Sequence, residues 1–133
     1  MQTIDLTDMK LFEFQLVFEA GHRIVDLHND YKCENIAYDF SKQTLKCDFK
    51  GESNVRLEFN GAIVKQMNLI LKRTEDSSTL NSFYRGRFEE NGTLLEYSKD
   101  GKGYYYLEFE DGDSLELHAT KVILSVNNVS GEN

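Results

Sequence analysis

Hydrophobic and polar residues alternate along most of this chain, and a period of two residues is typical of half-buried β-strands. The clearest alternating runs lie at 12–18, 36–40, 45–49, 55–59 and 103–117. Residues 75–79 form the most polar break between such runs. The pattern predicts a single all-β domain over residues 1–133. We expect nine or ten strands in an antiparallel meander that forms a two-sheet sandwich or a barrel.

The N-terminal segment 7–20 has two interpretations. A helix would place one apolar stripe on Met9, Phe12, Leu16 and Ala20. A strand would use the apolar residues at every even position from 12 to 18, and the chain would then turn at Ala20-Gly21. The unbroken alternation favours the strand.

A hairpin predicted around Lys42-Gln43 determines whether the two cysteines lie on the same face of the sheet. A two-residue turn there would pair Phe40 with Leu45, Tyr38 with Cys47 and Ile36 with Phe49. In that register Cys33 lies on the opposite face from Cys47. A disulfide needs the two α-carbons within roughly 7 Å, so we expect two reduced thiols and a cytoplasmic setting.

A change of face follows Asn60-Gly61. Val55, Leu57 and Phe59 precede it, and the odd positions from 63 to 71 carry most of the later apolar residues. A two-residue turn would put these two apolar sets on opposite faces. The sequence therefore predicts a longer loop, a bulge, or a change of sheet at this point.

The C-terminal part contains three short turns with glycine. Loops at Lys99-Asp-Gly101 and Glu110-Asp-Gly112 suit a three-residue connection with glycine in the left-handed position. The expected cross-strand pairs are Leu95 with Tyr105, Tyr105 with Leu117, and Leu107 with Leu115. A turn at Asn91-Gly92 would place Phe88 opposite Leu95 and Arg87 opposite Glu96.

Composition and charge exclude several classes of protein. The chain has 133 residues, 40% of them hydrophobic, and a formal net charge of −8. An acidic surface argues against a general nucleic-acid binder, since phosphate contacts need basic residues. No apolar run approaches the ~18 residues of a membrane helix, and residues 1–5 lack the pattern of a secretory signal.

The acidity is concentrated in one meander. Residues 89–116 hold nine acidic and two basic residues, which accounts for −7 of the net charge. On the expected registers, one solvent-facing surface combines carboxylates and tyrosines, a composition that suits a basic protein partner. The predicted partner-binding residues are Glu96, Tyr104, Tyr106, Glu108, Glu116 and His118. A solvated face that only keeps the protein soluble is the alternative.

The catalytic and metal-binding patterns that we sought are weak. Asp26, His28 and Asp30 would share one face of a strand, as metal ligands could, but Asn29-Asp30 is typical of a turn. There is no Cys-x-x-Cys unit, no Gly-x-Ser-x-Gly elbow, and no cysteine with a histidine near it. We therefore expect no catalytic site, no metal and no cofactor.

In layout the chain resembles the small, mainly β immunity proteins of bacterial polymorphic toxin systems. The similar pieces are 25–30 (Val-Asp-Leu-His-Asn-Asp), 36–40 (Ile-Ala-Tyr-Asp-Phe), 55–59 (Val-Arg-Leu-Glu-Phe) and 107–112 (Leu-Glu-Phe-Glu-Asp-Gly). The likeness covers most of the chain. It implies a non-catalytic protein that blocks a toxin by binding it, often with acidic residues against a basic nuclease surface.

The sequence thus favours an acidic interaction protein, and the resemblance implies an inhibitor of a basic partner. A closed barrel that carries a small ligand is the main alternative, and it requires an apolar cavity. Self-association through the Tyr104/Tyr106 face is a further one.

Overall fold

In the computed structural model, every regular element among the described residues is a β-strand. The structure describes residues 2–10, 13, 15–68, 79–88, 94–95, 101–110 and 112–128. Within these residues the strands are β1 (Gln2–Asp5), β2 (Val17–Ala20), β3 (Arg23–Asp26), β4 (Lys32–Asp39), β5 (Thr44–Lys50), β6 (Ser53–Asn60), β7 (Ile63–Asn68), β8 (Leu80–Arg85), β9 (Arg87–Phe88), β10 (Leu94–Leu95), β11 (Gly103–Phe109), β12 (Ser114–Ala119) and β13 (Lys121–Asn128). The all-β prediction is confirmed, and the described residues contain more strands than the nine or ten expected.

The strands form an antiparallel sandwich rather than a closed barrel. A five-stranded sheet has the order β1-β13-β6-β5-β4, and a four-stranded sheet has the order β7-β12-β11-β8. Two further pairs, β2-β3 and β9-β10, form small sheets of their own. The sequence left sandwich and barrel open, and the separate edges of the two large sheets decide for the sandwich.

The core lies between the two large sheets. Phe59 of the five-stranded sheet contacts two rings of the four-stranded sheet, with centroid distances of 6.0 Å to Phe83 and 5.9 Å to Tyr105. All three side chains are fully buried. Buried side chains of both sheets occupy this interior, and the two sheets have separate edges, so the closed barrel required by the small-ligand carrier is not formed.

The chain changes sheets directly after Asn60, which was one of the three expected explanations for the change of face. β6 belongs to the five-stranded sheet and β7 to the four-stranded one. Gly61 has a φ of +62°, a conformation that glycine adopts without steric cost. The Lys102 ammonium donates to the Gly61 carbonyl at 2.8 Å and to Thr120 Oγ1 at 2.9 Å, so it joins the two chain crossings at this corner.

The N-terminal segment contains a hairpin. β2 pairs with β3 from Val17 opposite Asp26 to Ala20 opposite Arg23, and Gly21 in the turn has a φ of +66°. The strand interpretation is confirmed for residues 17–20. Positions 12 and 14, on which that interpretation also rested, lie outside the described residues.

The predicted β4-β5 register was wrong by two residues. Tyr38 pairs with Leu45 rather than Cys47, because the connection spans four residues, 40–43, instead of two. The Asp39 carboxylate stabilises this longer turn by accepting hydrogen bonds from the Ser41 and Lys42 backbone amides. Phe40 therefore falls outside the strand and is 84% exposed.

A bulge in β4 reverses the expected placement of Cys33. The register shifts between Cys33 and Asn35, so that Cys33 lies opposite Phe49. Because Phe49 and Cys47 share a face of β5, both cysteines lie on the buried side of the sheet, and the prediction of opposite faces was wrong. No disulfide joins them.

Both thiols should react slowly in the folded protein. Burial raises the pKa of the Cys47 thiol well above its ordinary value, with Cys33 and Asp48 adding to the effect, and the thiolate is the reactive form. We expect alkylation by iodoacetamide at neutral pH to be roughly a hundredfold slower in buffer than in denaturant. An Asn35→Cys variant is the control. Its new thiol lies at an exposed position of β4, the strand that also carries Cys33, and it should react rapidly. Equal rates at the three cysteines of that variant would contradict the burial.

The registers of the C-terminal strands were predicted in part. β11 pairs with β12 as expected, with Leu107 opposite Leu115 and Tyr105 opposite Leu117. β10 pairs with β9 one residue away from the prediction, because Leu94, not Leu95, lies opposite Phe88. Tyr105 was expected beside Leu95, but the second neighbour of β11 is β8.

Candidate functional site

The predicted partner-binding residues lie on the face of the four-stranded sheet that points away from the core. Tyr104 pairs with His118 and Tyr106 with Glu116, as the predicted register of β11 and β12 requires. Leu94 was expected to continue the row of Tyr106 and Glu116, but it pairs with Phe88, and Tyr84 lies beside Tyr106 instead. Glu96 lies outside the described residues. The strand that carries Glu96 was expected to pair with β11, but β8 occupies that position.

Most of this face is buried, which contradicts the expectation of a solvated surface. Tyr104 is 4% exposed, Glu116 8% and His118 9%. Tyr106 and Glu108 remain partly exposed. Local alternation predicts correctly which side chains share the face, but it does not report how much of the face the rest of the chain covers.

The buried residues hold one another in place. The Tyr104 hydroxyl donates a hydrogen bond to Glu116 Oε1, and the Tyr104 ring meets the His118 ring edge-on with centroids 5.1 Å apart. A buried carboxylate is costly unless a donor compensates for its lost hydration, and the phenol supplies that donor. These contacts constrain the Tyr104 ring on a rigid strand.

Tyr106 lies at the accessible side of the same face. Its ring packs on Tyr84 of β8 with centroids 5.3 Å apart, and its hydroxyl lies 3.4 Å from Glu108 Oε2. We refer to the whole group as the tyrosine–carboxylate cluster, which consists of Tyr84, Tyr104, Tyr106, Glu108, Glu116 and His118. The sequence reasoning missed Tyr84, because its membership depends on the pairing of β8 with β11.

The three residues of the possible metal site are not arranged as ligands. β3 ends at Asp26 and the chain then turns, so Asp26, His28 and Asp30 do not share a strand face. Asp26 Oδ1 accepts hydrogen bonds from the His28 and Asn29 backbone amides at 3.0 Å. Desolvation raises the pKa of Asp26, but these hydrogen bonds outweigh it and the pKa is lowered overall. The described residues contain no cluster of three or more ligands suited to a metal ion.

A second surface feature is a polar depression of about 500 Å³ on the outer face of the five-stranded sheet. Its lining includes an ion pair in which Arg56 Nε lies 2.6 Å from Asp48 Oδ1 and Nη2 lies 3.4 Å from Oδ2. The hydrogen bond to Asp48 raises the pKa of the Arg56 guanidinium. Because Arg56 and Asp48 pair with each other, neither charge is left unpaired to attract a ligand of opposite charge.

In the described part of the chain there is no helix with the length and apolar character needed to cross a membrane. Comparison of the chain with protein-family models, with curated proteins and with solved structures finds no match. The tyrosine–carboxylate cluster is therefore the candidate site on geometry and charge alone.

Proposed function

We propose that the protein is a non-catalytic interaction protein that binds a basic protein partner through the accessible side of the tyrosine–carboxylate cluster. Tyr106 and Glu108 are the contacting side chains, and the buried Tyr104, Glu116 and His118 support them. The observation that carries the proposal is the partly exposed Tyr106, which packs on Tyr84 and lies beside a carboxylate.

Rigidity makes Tyr106 suitable as an anchor. An aromatic side chain that is already ordered loses little conformational entropy on binding, and tyrosine is among the residues that dominate binding energy at interfaces. Tyr106 is restrained by its ring contact with Tyr84 and by its strand, whose neighbours β8 and β12 lie on both sides. The anchor is therefore preorganised.

The charge of the chain favours a basic partner. The net charge is −8, and Glu108 is followed at the end of β11 by the exposed Glu110. Charge complementarity of this kind raises the association rate and excludes acidic competitors. An immunity-type inhibitor of a basic toxin or nuclease, the class that the sequence resembles, is the specific form of this proposal.

The test is capture of a partner from a lysate of the source organism at low salt, followed by titration with the purified partner. The native chain is compared with a Tyr106→Ala/Glu108→Gln variant. Loss of a central aromatic anchor typically costs about 2 kcal/mol or more, so we expect the Kd to rise roughly thirtyfold. Added salt should weaken the native complex, since it screens the steering charges.

A matched control is the Phe40→Ala/Glu58→Gln variant. It removes one exposed aromatic ring and one carboxylate elsewhere on the surface and has the same net charge as the test variant. We expect it to bind like the native chain. The proposed function is rejected if the native chain retains no basic protein. The proposed site is rejected if the Tyr106→Ala/Glu108→Gln variant and the control variant bind the partner equally well.

A further inference from the structure

The outer edge of β4 is the feature that the proposed function leaves unexplained. β4 is the last strand of the five-stranded sheet, and only β5 pairs with it among the described strands. In an edge strand every second residue directs its N–H and C=O groups away from the sheet. Proteins commonly blunt such edges with lysine, proline, bulges or very short strands, because an open edge pairs with other chains.

The segment 35–39 has no lysine, proline or bulge, and its one charged residue, Asp39, lies at its end. It contains Asn35, Ile36, Ala37, Tyr38 and Asp39, and its pairing with β5 is regular throughout. The other edges differ. β7 has a bulge in its pairing and an exposed lysine at position 65, and β1 is only four residues long. β8 has a bulge in its pairing with β11, and its Phe83 carbonyl already accepts a hydrogen bond of 2.8 Å from the Gln15 backbone amide. The bulge of β4 lies before this segment, between Cys33 and Asn35.

We propose that β4 pairs with β4 of a second copy of this chain, antiparallel about a two-fold axis at Ala37. An isologous contact of this kind must be self-complementary, and the sequence of β4 meets that condition. Ala37 lies opposite Ala37 of the second copy, and Ile36 lies opposite its Tyr38. Asn35 then lies opposite Asp39, so that an amide donor faces a carboxylate.

Side-chain direction selects this register. Ile36 and Tyr38 are partly buried and pack against the core, whereas Asn35, Ala37 and Asp39 are exposed on the other face. A slip of one residue would place Ile36 opposite Asp39 and mix apolar with charged positions. A slip of two would separate Asn35 from Asp39. The two-fold register keeps apolar residues on one face and joins the two five-stranded sheets into a continuous ten-stranded one.

The same pairing accounts for Phe40. Its side chain is 84% exposed, and its ring packs edge-on against Tyr38 with centroids 4.9 Å apart. In the dimer, Tyr38 lies opposite Ile36 of the second copy, so the Phe40 ring that packs on Tyr38 lies near that isoleucine. An aromatic ring with almost its whole surface in solvent thereby gains an apolar neighbour.

Charge predicts how the dimer responds to salt. Two chains of net charge −8 repel each other, and salt screens that repulsion. We therefore expect the dimer to strengthen with salt, which is the opposite of the proposed basic complex. The paired edges alone bury less than the ~800 Å² per partner of a standard interface, so dimerisation should depend on concentration.

The test is sedimentation velocity on the full chain over a concentration series at low and high salt. The native chain should shift from monomer to dimer, and an Ala37→Lys variant should have a dimer Kd at least roughly tenfold higher, because it places two lysines opposite each other. Thr3→Lys is the matched control. It adds the same charge to an exposed position on the other edge of the same sheet and should dimerise like the native chain.

A cross-linking experiment tests the register. With oxidised glutathione, Ala37→Cys should form a disulfide-linked dimer across the two-fold axis, and Thr3→Cys should not. A native chain that stays monomeric at every concentration overturns the proposal, as does equal dimerisation of the Ala37→Lys and Thr3→Lys variants. Partner binding through Tyr106 is measured separately on the Ala37→Lys variant, so failure of one proposal leaves the other standing.

Discussion

Replacement of Phe59 by alanine is expected to lower the free energy of unfolding by about 3–5 kcal/mol. Phe59 is fully buried at the centre of the sandwich, where its ring contacts Phe83 and Tyr105 of the facing sheet. The truncation removes apolar burial and leaves a cavity that two hydrogen-bonded sheets cannot easily close. The measurement is urea unfolding monitored by tyrosine fluorescence and circular dichroism.

Phe40→Ala is the matched control, because it makes the same chemical change at a ring that is 84% exposed. A surface truncation of this kind should change the stability by less than about 0.5 kcal/mol when the protein is monomeric. Similar losses for the two variants would contradict the two-sheet core as described.

Replacement of Gly51 by alanine is expected to cost about 1–3 kcal/mol, as overpacking of a tight site does. A β-carbon on Gly51 would lie 2.4 Å from the Asp30 carbonyl oxygen and 2.9 Å from Cδ2 of Tyr31. The Asp30 contact is with backbone, so a side-chain rotation cannot relieve it. The nearby buried hydrogen bond between Tyr31 and Ser53, 2.6 Å long, would be strained as the two segments separate.

The control for this prediction is Glu52→Ala, at the next residue of the same turn, which is exposed. Thermal and urea unfolding of the two variants should differ clearly, with Glu52→Ala close to the native chain. If Gly51→Ala were as stable as Glu52→Ala, the close approach of Asp30 to this turn would be wrong.

Local features of the sequence predicted a large part of the fold. The alternation in 55–59 identified β6 and its buried face, and the glycine of the Glu110–Gly112 loop set the β11-β12 register. The hairpin at Lys42-Gln43 is an element whose register alternation alone predicted wrongly. Its turn is longer than the shortest one that alternation allows, because the Asp39 carboxylate accepts hydrogen bonds from backbone amides of the four connecting residues.

The candidate site was predicted less completely. The pairing of Tyr104 with His118 and of Tyr106 with Glu116 followed from one short loop. The burial of Tyr104, Glu116 and His118 did not, because exposure depends on segments far away in the sequence. Tyr84 joins the cluster only through the pairing of β8 with β11, which links residues twenty or more positions apart.

The sequence by itself therefore determined the all-β class, the division of side chains between faces, and the registers across short glycine turns. These depend on the two-residue period of a strand and on the left-handed conformation of glycine, both of which are local. Tertiary structure decided the change of sheet after Asn60, the place of β8 beside β11, and which face of the four-stranded sheet is covered. Such pairings join distant segments. They are selected by the total burial and backbone hydrogen bonding of the assembled sheets, and these quantities cannot be read from any single segment.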